Sequence, residues 1–428
     1  MPGQRALKEI GRRTSTPSTA RAPGEAPRWS AIRARAALRA LPVALAVVLG
    51  ACSVGTTGRA ASSGSPRWGD RTGPIVVAEH CVERLDLDGY DEAFKVVRGP
   101  DWDGADMSVA ADLGGDVRLW LFGDTFTGEI GADRRILDPW DLLHNSMAVQ
   151  RDECFEFHMG AVNGVISELI PDRSHRTRYW PGGAYAVREG RRISEVRVLV
   201  TIGHKPKGAD GSFSVRLVGA AMVRMSWPDL RVLAIEELGS PRNLILHHLV
   251  DGGDGWKYIY SHRRTASPAQ FVARGRDDDL LRGRLQWWNG TGWSRDVADA
   301  VPMRFLDRGR REEGPWSPLY VVADSPGFVA SATRLVLMTT DVSAWWARNP
   351  WGPWRTASDQ EGRVVTMPQD SENYRYGGHV SVLPGLGPTA IWNHHPGYRE
   401  GVNDAYVFGP RFASLEGFST PWRSAADG

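Results

Sequence analysis

Asp106 and Asp124 are the residues whose type and spacing most directly imply chemistry. The runs GADMSVAADL (104–113) and VRLWLFGDT (117–125) read as two arms of one hairpin turning near Gly115. In that register Met107, Val109, Ala111 and Leu113 face Gly123, Leu121, Leu119 and Val117, a wholly apolar set. The other face pairs Asp112 with Arg118, Ala110 with Trp120, Ser108 with Phe122 and Asp106 with Asp124. The opposite-charge pair near the turn favours this register, because a one-residue slip would send every side chain to the wrong face. Two carboxylates then stand directly opposite each other, with Cβ atoms about 4.5 to 5.5 Å apart. Like charges so close require a proton, a cation or hydrogen-bond donors between them. A pair holding two protonation states at neutral pH meets the requirement for acid/base work at a glycosidic bond. The plainer alternative is a Gly-Asp-Thr turn whose carboxylate bonds local backbone N–H groups.

The elements that must position this pair recur along the chain. From Pro100 onward short β-rich runs alternate with Gly, Pro, Asp and Asn clusters, and a 3.6-residue period is almost absent. Hairpin-like units occupy 104–125, 182–204, 244–263, 317–341 and 377–395. They predict an all-β fold, a five-bladed β-propeller of four-stranded antiparallel blades over residues 74–428, with a decorated β-sandwich as competitor. The run IVVAEHCVERLDL from Ile75 is expected to supply the strand that closes the ring.

In a propeller the matching ends of the hairpins converge on one mouth of the central channel. The expected polar lining is Asn145, Trp180, His204, Asn243, His262, His379, Asn393 and His394, with Glu312 and Glu313 within reach before the fourth unit. Trp102, Trp180 and Trp392 lie near the same mouth, where a flat ring could stack on a sugar. Among the 18 Trp residues, Trp120, Trp180 and Trp287 are expected as wedges between blades. Alternation sends the members of His247–His248 and of His394–His395 to opposite faces, so at most one of each pair reaches the channel. No cofactor is expected; a divalent cation held by His and Asp in the channel is a lesser alternative. Cys-x-x-Cys, P-loop, dinucleotide and nucleophile-elbow motifs are absent from the sequence.

The N-terminal region reads as an address. Arg33, Arg35 and Arg39 precede the apolar run Leu41–Leu49, which has signal-peptide length. The following Leu49-Gly50-Ala51-Cys52 resembles the bacterial lipoprotein cleavage box, which makes residues 1–52 a signal peptide and Cys52 the lipidated first residue of the mature chain. Residues 53–73 form a flexible tether. The expected location is extracytoplasmic, lipid-anchored to the cell membrane. There Cys81 and Cys154 are either a disulfide or two buried thiols. A formal net charge of +2, with Arg scattered among Asp and Glu, gives no nucleic-acid partner, and a monomer is expected.

Taken together, LWLFGDTF, HNSMAVQ, YWPGGA, FVARGRDDDLLRGRLQWWNGTGW, NPWGPW and YGGHVSVLP…AIWNHHP resemble the extracytoplasmic five-bladed propellers related to arabinanase and β-xylosidase glycoside hydrolases. They are similar in particular to an actinobacterial family first described as a domain of unknown function, which includes endo-D-arabinanases. The resemblance spans about residues 98–415. It implies acidic positions at Asp106 and Asp124, one acting as nucleophile or base and the other as proton partner; if the reaction is inverting, Glu313, by its place before the fourth unit, is the candidate acid. The function it implies is a cell-surface glycoside hydrolase on an arabinofuranose-containing polysaccharide. The alternatives are a non-catalytic carbohydrate-binding propeller and a metal-dependent hydrolase.

Overall fold

The computed structural model describes residues 71–96, 101–132, 135–137, 141–207, 215–264, 267–333, 341–358, 362–367, 373–396 and 408–423. Cys52, the signal peptide and nearly all of the tether lie outside them. The described residues are mostly β, arranged in five larger sheets and one small one.

The first sheet runs in the order Arg71–Cys81, Cys154–Val162, Ser146–Arg151, Val117–Phe122, Val109–Asp112. The second is a meander from Thr177–Glu189 to Val232–Gly239. The third begins with Leu244–Asp251, and the fourth has Tyr320–Asp324 at one edge. The fifth holds Asn373–Leu383, Gly387–Pro396 and Gly409–Ser414. Gly104–Ala105, Thr125–Thr127 and Asp141–Leu143 form the small sheet.

Alternation of apolar and polar residues sets the hairpin expected first. Val109 pairs with Leu121, Ala111 with Leu119 and Asp112 with Arg118, whose side chains approach to 3.7 Å. Gly114 and Gly115, at φ +79° and +67°, supply the turn between them.

Apolar faces are buried in pairs, and the pairs run in a circle. Val149 and Leu121 of the first sheet meet Val198 and Val223 of the second. Leu199 and Met222 meet Leu246 and Phe271 of the third. Tyr260 and Val272 meet Val321 and Trp345 of the fourth, and Val329 and Val342 meet Val380 and Ala390 of the fifth. Ile391 and Phe412 of the fifth then return to Trp120 and Phe155 of the first. The strands Val109–Asp112, Thr177–Glu189, Leu244–Asp251, Tyr320–Asp324 and Asn373–Leu383 touch in the same cyclic order. A cavity of about 120 Å³ is lined by residues of all five, among them Ala111, Gly183, His248, Val322 and Ser381.

Two features depart from expectation. Arg71–Cys81 pairs with Cys154–Val162 at the outer edge of the first sheet, so the segment from Ile75 does not join the fifth. The Cys81–Cys154 disulfide fastens that pairing at its end. After it the chain forms the helix Leu87–Val96, whose Tyr90 and Phe94 pack between Phe412 and Trp120. Among the described residues the circle is thus closed by side chains of the helix and fifth sheet, and not by a shared strand.

Candidate active site

The register offset of Val109–Asp112 with Val117–Phe122 is kept across a break in the ladder at Met107, φ +50°, and resumes in the small sheet, where Ala105 pairs with Thr125 and Gly104 with Phe126. Asp106 and Asp124 are therefore directly opposite. The Asp106 amide donates to Asp124 O at 2.9 Å, and the Gly123 amide donates to Asp106 O at 2.8 Å. Both aspartates are 7% exposed. Gly123 explains the local motif, since a Cβ there would lie 2.5 Å from Asp106 Oδ1. Only glycine leaves room for the carboxyl. Thr125 completes the turn, its hydroxyl donating to Gly123 O at 3.0 Å and lying 2.8 Å from Ser146 Oγ.

Each carboxyl receives a donor from a neighbouring sheet. Tyr376 of the fifth sheet donates its hydroxyl to Asp106 Oδ2 at 2.8 Å, and Trp180 of the second donates its indole N–H to Asp124 Oδ1 at 2.8 Å. Asp106 Oδ1 receives no hydrogen bond among the described residues. Burial holds the Asp106 carboxyl well above the usual carboxylate range, the Asp124 charge adds to the rise, and the Tyr376 bond opposes it. Tyr320 of the fourth sheet is pushed up to about 12 by burial and by the charge of Asp106. His379 stacks on the Tyr320 ring with centroids 4.5 Å apart, and burial lowers it to about 4.

Several residues expected at the mouth have structural employment instead. Asn145 donates to Ile170 O and Tyr179 O and accepts from the Ile170 amide, so its whole amide is used to clamp the first sheet to the second. Trp102 is 1% exposed, with centroid distances of 4.6 and 5.7 Å to Phe157 and Phe122. Trp392 packs in the core between the fourth and fifth sheets. Neither ring offers a face to a sugar, and Trp180 meets Asp124 through its edge. Asn393 Oδ1 lies 3.4 Å from Ser108 Oγ, linking the fifth sheet to the first beside the pair.

His247 and His248 are both buried, and a register shift between Leu246 and His248 leaves His247 in a bulge. His248 lines the cavity and lies between Gly182 O and Val321 O at 2.6 and 2.7 Å. His262 lies 3.1 Å from His247 through their Nδ1 atoms, and burial lowers it to about 4. His204 and His394 are half-buried near the ends of their strands. Glu313 is exposed after the strand Arg310–Glu312, with no described hydrogen bond to either Asp.

Sequence reasoning passed over Tyr376 and Tyr320, which have the look of ordinary strand aromatics. It also passed over the one described group able to hold a metal ion. His144, Glu168 and Asp172 offer ligand atoms within 4.8 Å of one another. His144 Nδ1 lies 2.8 Å from Asp172 and 3.5 Å from Glu168. Burial would lower His144, but these two carboxylates outweigh it and raise it to about 9. Asp172 is raised by burial to about 6. Distance along the chain hides this trio, since its members fall in two separate loops.

Residues 88–384 match the family profile described as a domain of unknown function, DUF5005. No curated protein matches the sequence. Among solved structures, a candidate hydrolase from Bacteroides ovatus ATCC 8483 is 15% identical, over 76% of this chain and 88% of that one, with a TM-score of 0.59. The GH43_1 enzyme from Xanthomonas citri complexed with xylotriose is 10% identical over 80% and 94%, with a TM-score of 0.44. CoXyl43, a GH43 β-xylosidase/α-arabinofuranosidase from a compost microbial metagenome, is 12% identical over 76% and 99%, with a TM-score of 0.42. At such identities the likeness to the Bacteroides structure is one of fold.

Proposed function

From the premise that this chain belongs to the DUF5005 family, we propose that it is a five-bladed β-propeller glycoside hydrolase that cleaves an arabinofuranose-containing polysaccharide at the Asp106–Asp124 pair. The observation that carries the reading is the pair itself: two buried carboxyls directly cross-strand, each held by a donor from a different sheet. A fold needs no such arrangement, and burying like charges opposes stability unless one of them keeps a proton. The cyclic packing of five sheets about one cavity supports the propeller. The hydrolase description of the Bacteroides structure agrees with the chemistry.

In the proposed reaction the ionised carboxylate attacks the anomeric carbon while the glycosidic C–O bond breaks. The leaving oxygen takes the proton of the neighbouring carboxyl. Water then cleaves the glycosyl ester, its proton restoring that carboxyl and its hydroxyl remaining on the sugar. The close cross-strand placement favours this double displacement over an inverting route, which would need a water between more distant groups. Buried Trp102 and Trp392 weigh against a pure binding module, which would rely on open aromatic faces. The reading also places the enzyme outside the cytoplasm, as a monomer anchored by lipid on Cys52. Replacing Cys52 by Ala should then move the protein from the detergent phase to the aqueous phase.

The test is release of oligosaccharides from arabinogalactan, and of aglycone from aryl glycofuranosides, by the protein and by its Asp106→Asn, Asp124→Asn double variant. Turnover by the wild type alone supports the reading. Retention of polysaccharide by both proteins, with turnover by neither, replaces it with a binding module.

A further inference from the structure

The two carboxyls are held by donors of different kind. The indole N–H of Trp180 can only donate, so Asp124 Oδ1 is fixed as an acceptor at 2.8 Å. The phenol of Tyr376 can donate or accept, so its 2.8 Å contact with Asp106 Oδ2 survives both the gain and the loss of a proton. The other oxygen of Asp106, Oδ1, is buried and makes no hydrogen bond among the described residues, and the one side-chain bond to this carboxyl is that of Tyr376.

We propose that Trp180 and Tyr376 are positioning residues that divide the labour of the pair, Trp180 holding Asp124 as the ionised nucleophile and Tyr376 holding Asp106 as the acid that gives up and regains the proton. The inference rests on the glycoside hydrolase reading for its catalytic terms, while the protonation states are a property of the protein alone. The groups that bear on Asp106 are Asp124 from the facing strand, whose charge raises it and whose backbone N–H lowers it, Tyr376 from the fifth sheet, whose hydroxyl lowers it, and Tyr320 from the fourth. None is a cation, so nothing among them returns Asp106 to the ordinary carboxylate range, and burial agrees with the direction. Asp124 Oδ1 accepts from the indole, a donor that cannot exchange roles with it.

The role division is read in pH profiles of kcat/KM. Tyr376→Phe removes a bond that lowers the Asp106 pKa, so the alkaline limb should move up by about one pH unit, with the acidic limb unmoved. Trp180→Phe removes the donor that orients Asp124, so kcat should fall with the alkaline limb unmoved, and Trp180→His, which keeps a ring N–H, should restore part of the rate. An alkaline limb that moves in Trp180→Phe, or that stays in place in Tyr376→Phe, overturns the division.

A second measurement needs no turnover. An infrared titration of the substrate-free, full-length protein should show a protonated carboxyl at pH 7 that persists in Trp180→Phe and is lost in Asp106→Asn. Its persistence in Asp106→Asn overturns the proposal. If the wild type hydrolyses nothing, the hydrolase reading fails by itself, and the infrared result still decides which carboxyl holds the proton.

Discussion

Asp106 and His144 each follow directly on a strand of the small sheet, and both hold a proton more tightly than in water, for opposite reasons. Asp106 does so because burial and Asp124 disfavour its charge; His144 does so because Asp172 and Glu168 favour its charge in spite of burial. The His144 shift makes a stability prediction with a definite sign. Its folded pKa of about 9 exceeds the ordinary 6.5, so its contribution is complete below pH 6.5 and is lost as pH rises towards 9. The contribution is on the order of 3 kcal/mol. Chemical denaturation at pH 6 and pH 9 should show the wild type losing this increment and His144→Gln showing no such loss. Gly123 carries a second prediction at this scale. A Cβ 2.5 Å from Asp106 Oδ1 must displace the carboxyl, so Gly123→Ala should lower kcat roughly 100-fold, by analogy with ångström-scale misplacement elsewhere. Circular dichroism should remain unchanged.

At the scale of elements, the strand Thr177–Glu189 approaches the strand Leu244–Asp251 so closely that a Cβ on Gly182 would lie 1.8 Å from His247 O. Gly182→Ala should therefore force the second and third sheets apart and lower the melting temperature far more than Gly164→Ala, which sits at φ +77° with open space around it and should cost about 1 kcal/mol. Paired thermal melts check this contrast. The same close approach explains what could be read from the sequence. The hairpin register, and with it the opposition of Asp106 and Asp124, follows from local alternation and one charge pair, so it was legible. The roles of Trp102, Trp392 and Asn145 were not, because whether a ring or an amide faces solvent is decided by the adjacent sheet. The bulge at His247 was hidden for the same reason, since it reorients one residue against strand partners distant in sequence. Arg71–Cys81 looked like a closing strand because edge strands share one composition wherever they pair.

At the scale of the whole molecule, the site belongs to no single sheet. Asp106 and Asp124 come from the first sheet's long hairpin, Trp180 from the second sheet, Tyr320 from the fourth and Tyr376 from the fifth. The junction between fifth and first sheets therefore both closes the circle and brings Tyr376 to Asp106. Phe412 is central to that junction, its ring 5.4 Å from Tyr90, 5.8 Å from Phe94 and 6.0 Å from Trp120. Truncating a buried Phe costs about 3 to 5 kcal/mol. Phe412→Ala should lower the melting temperature, and by loosening the contact of Gly409–Ser414 with Gly104–Ala105 it should also open neighbouring Asp106 to water. Because burial is the largest cause of the raised Asp106 pKa, hydration must move that carboxyl down towards the ordinary range. The alkaline limb of activity should then fall to lower pH, opposite in sense to the shift expected for Tyr376→Phe. Melting and pH profiles measured on the same Phe412→Ala preparation check whether closure of the circle and protonation of the site are one property. A lowered melting temperature with an unmoved alkaline limb would separate them.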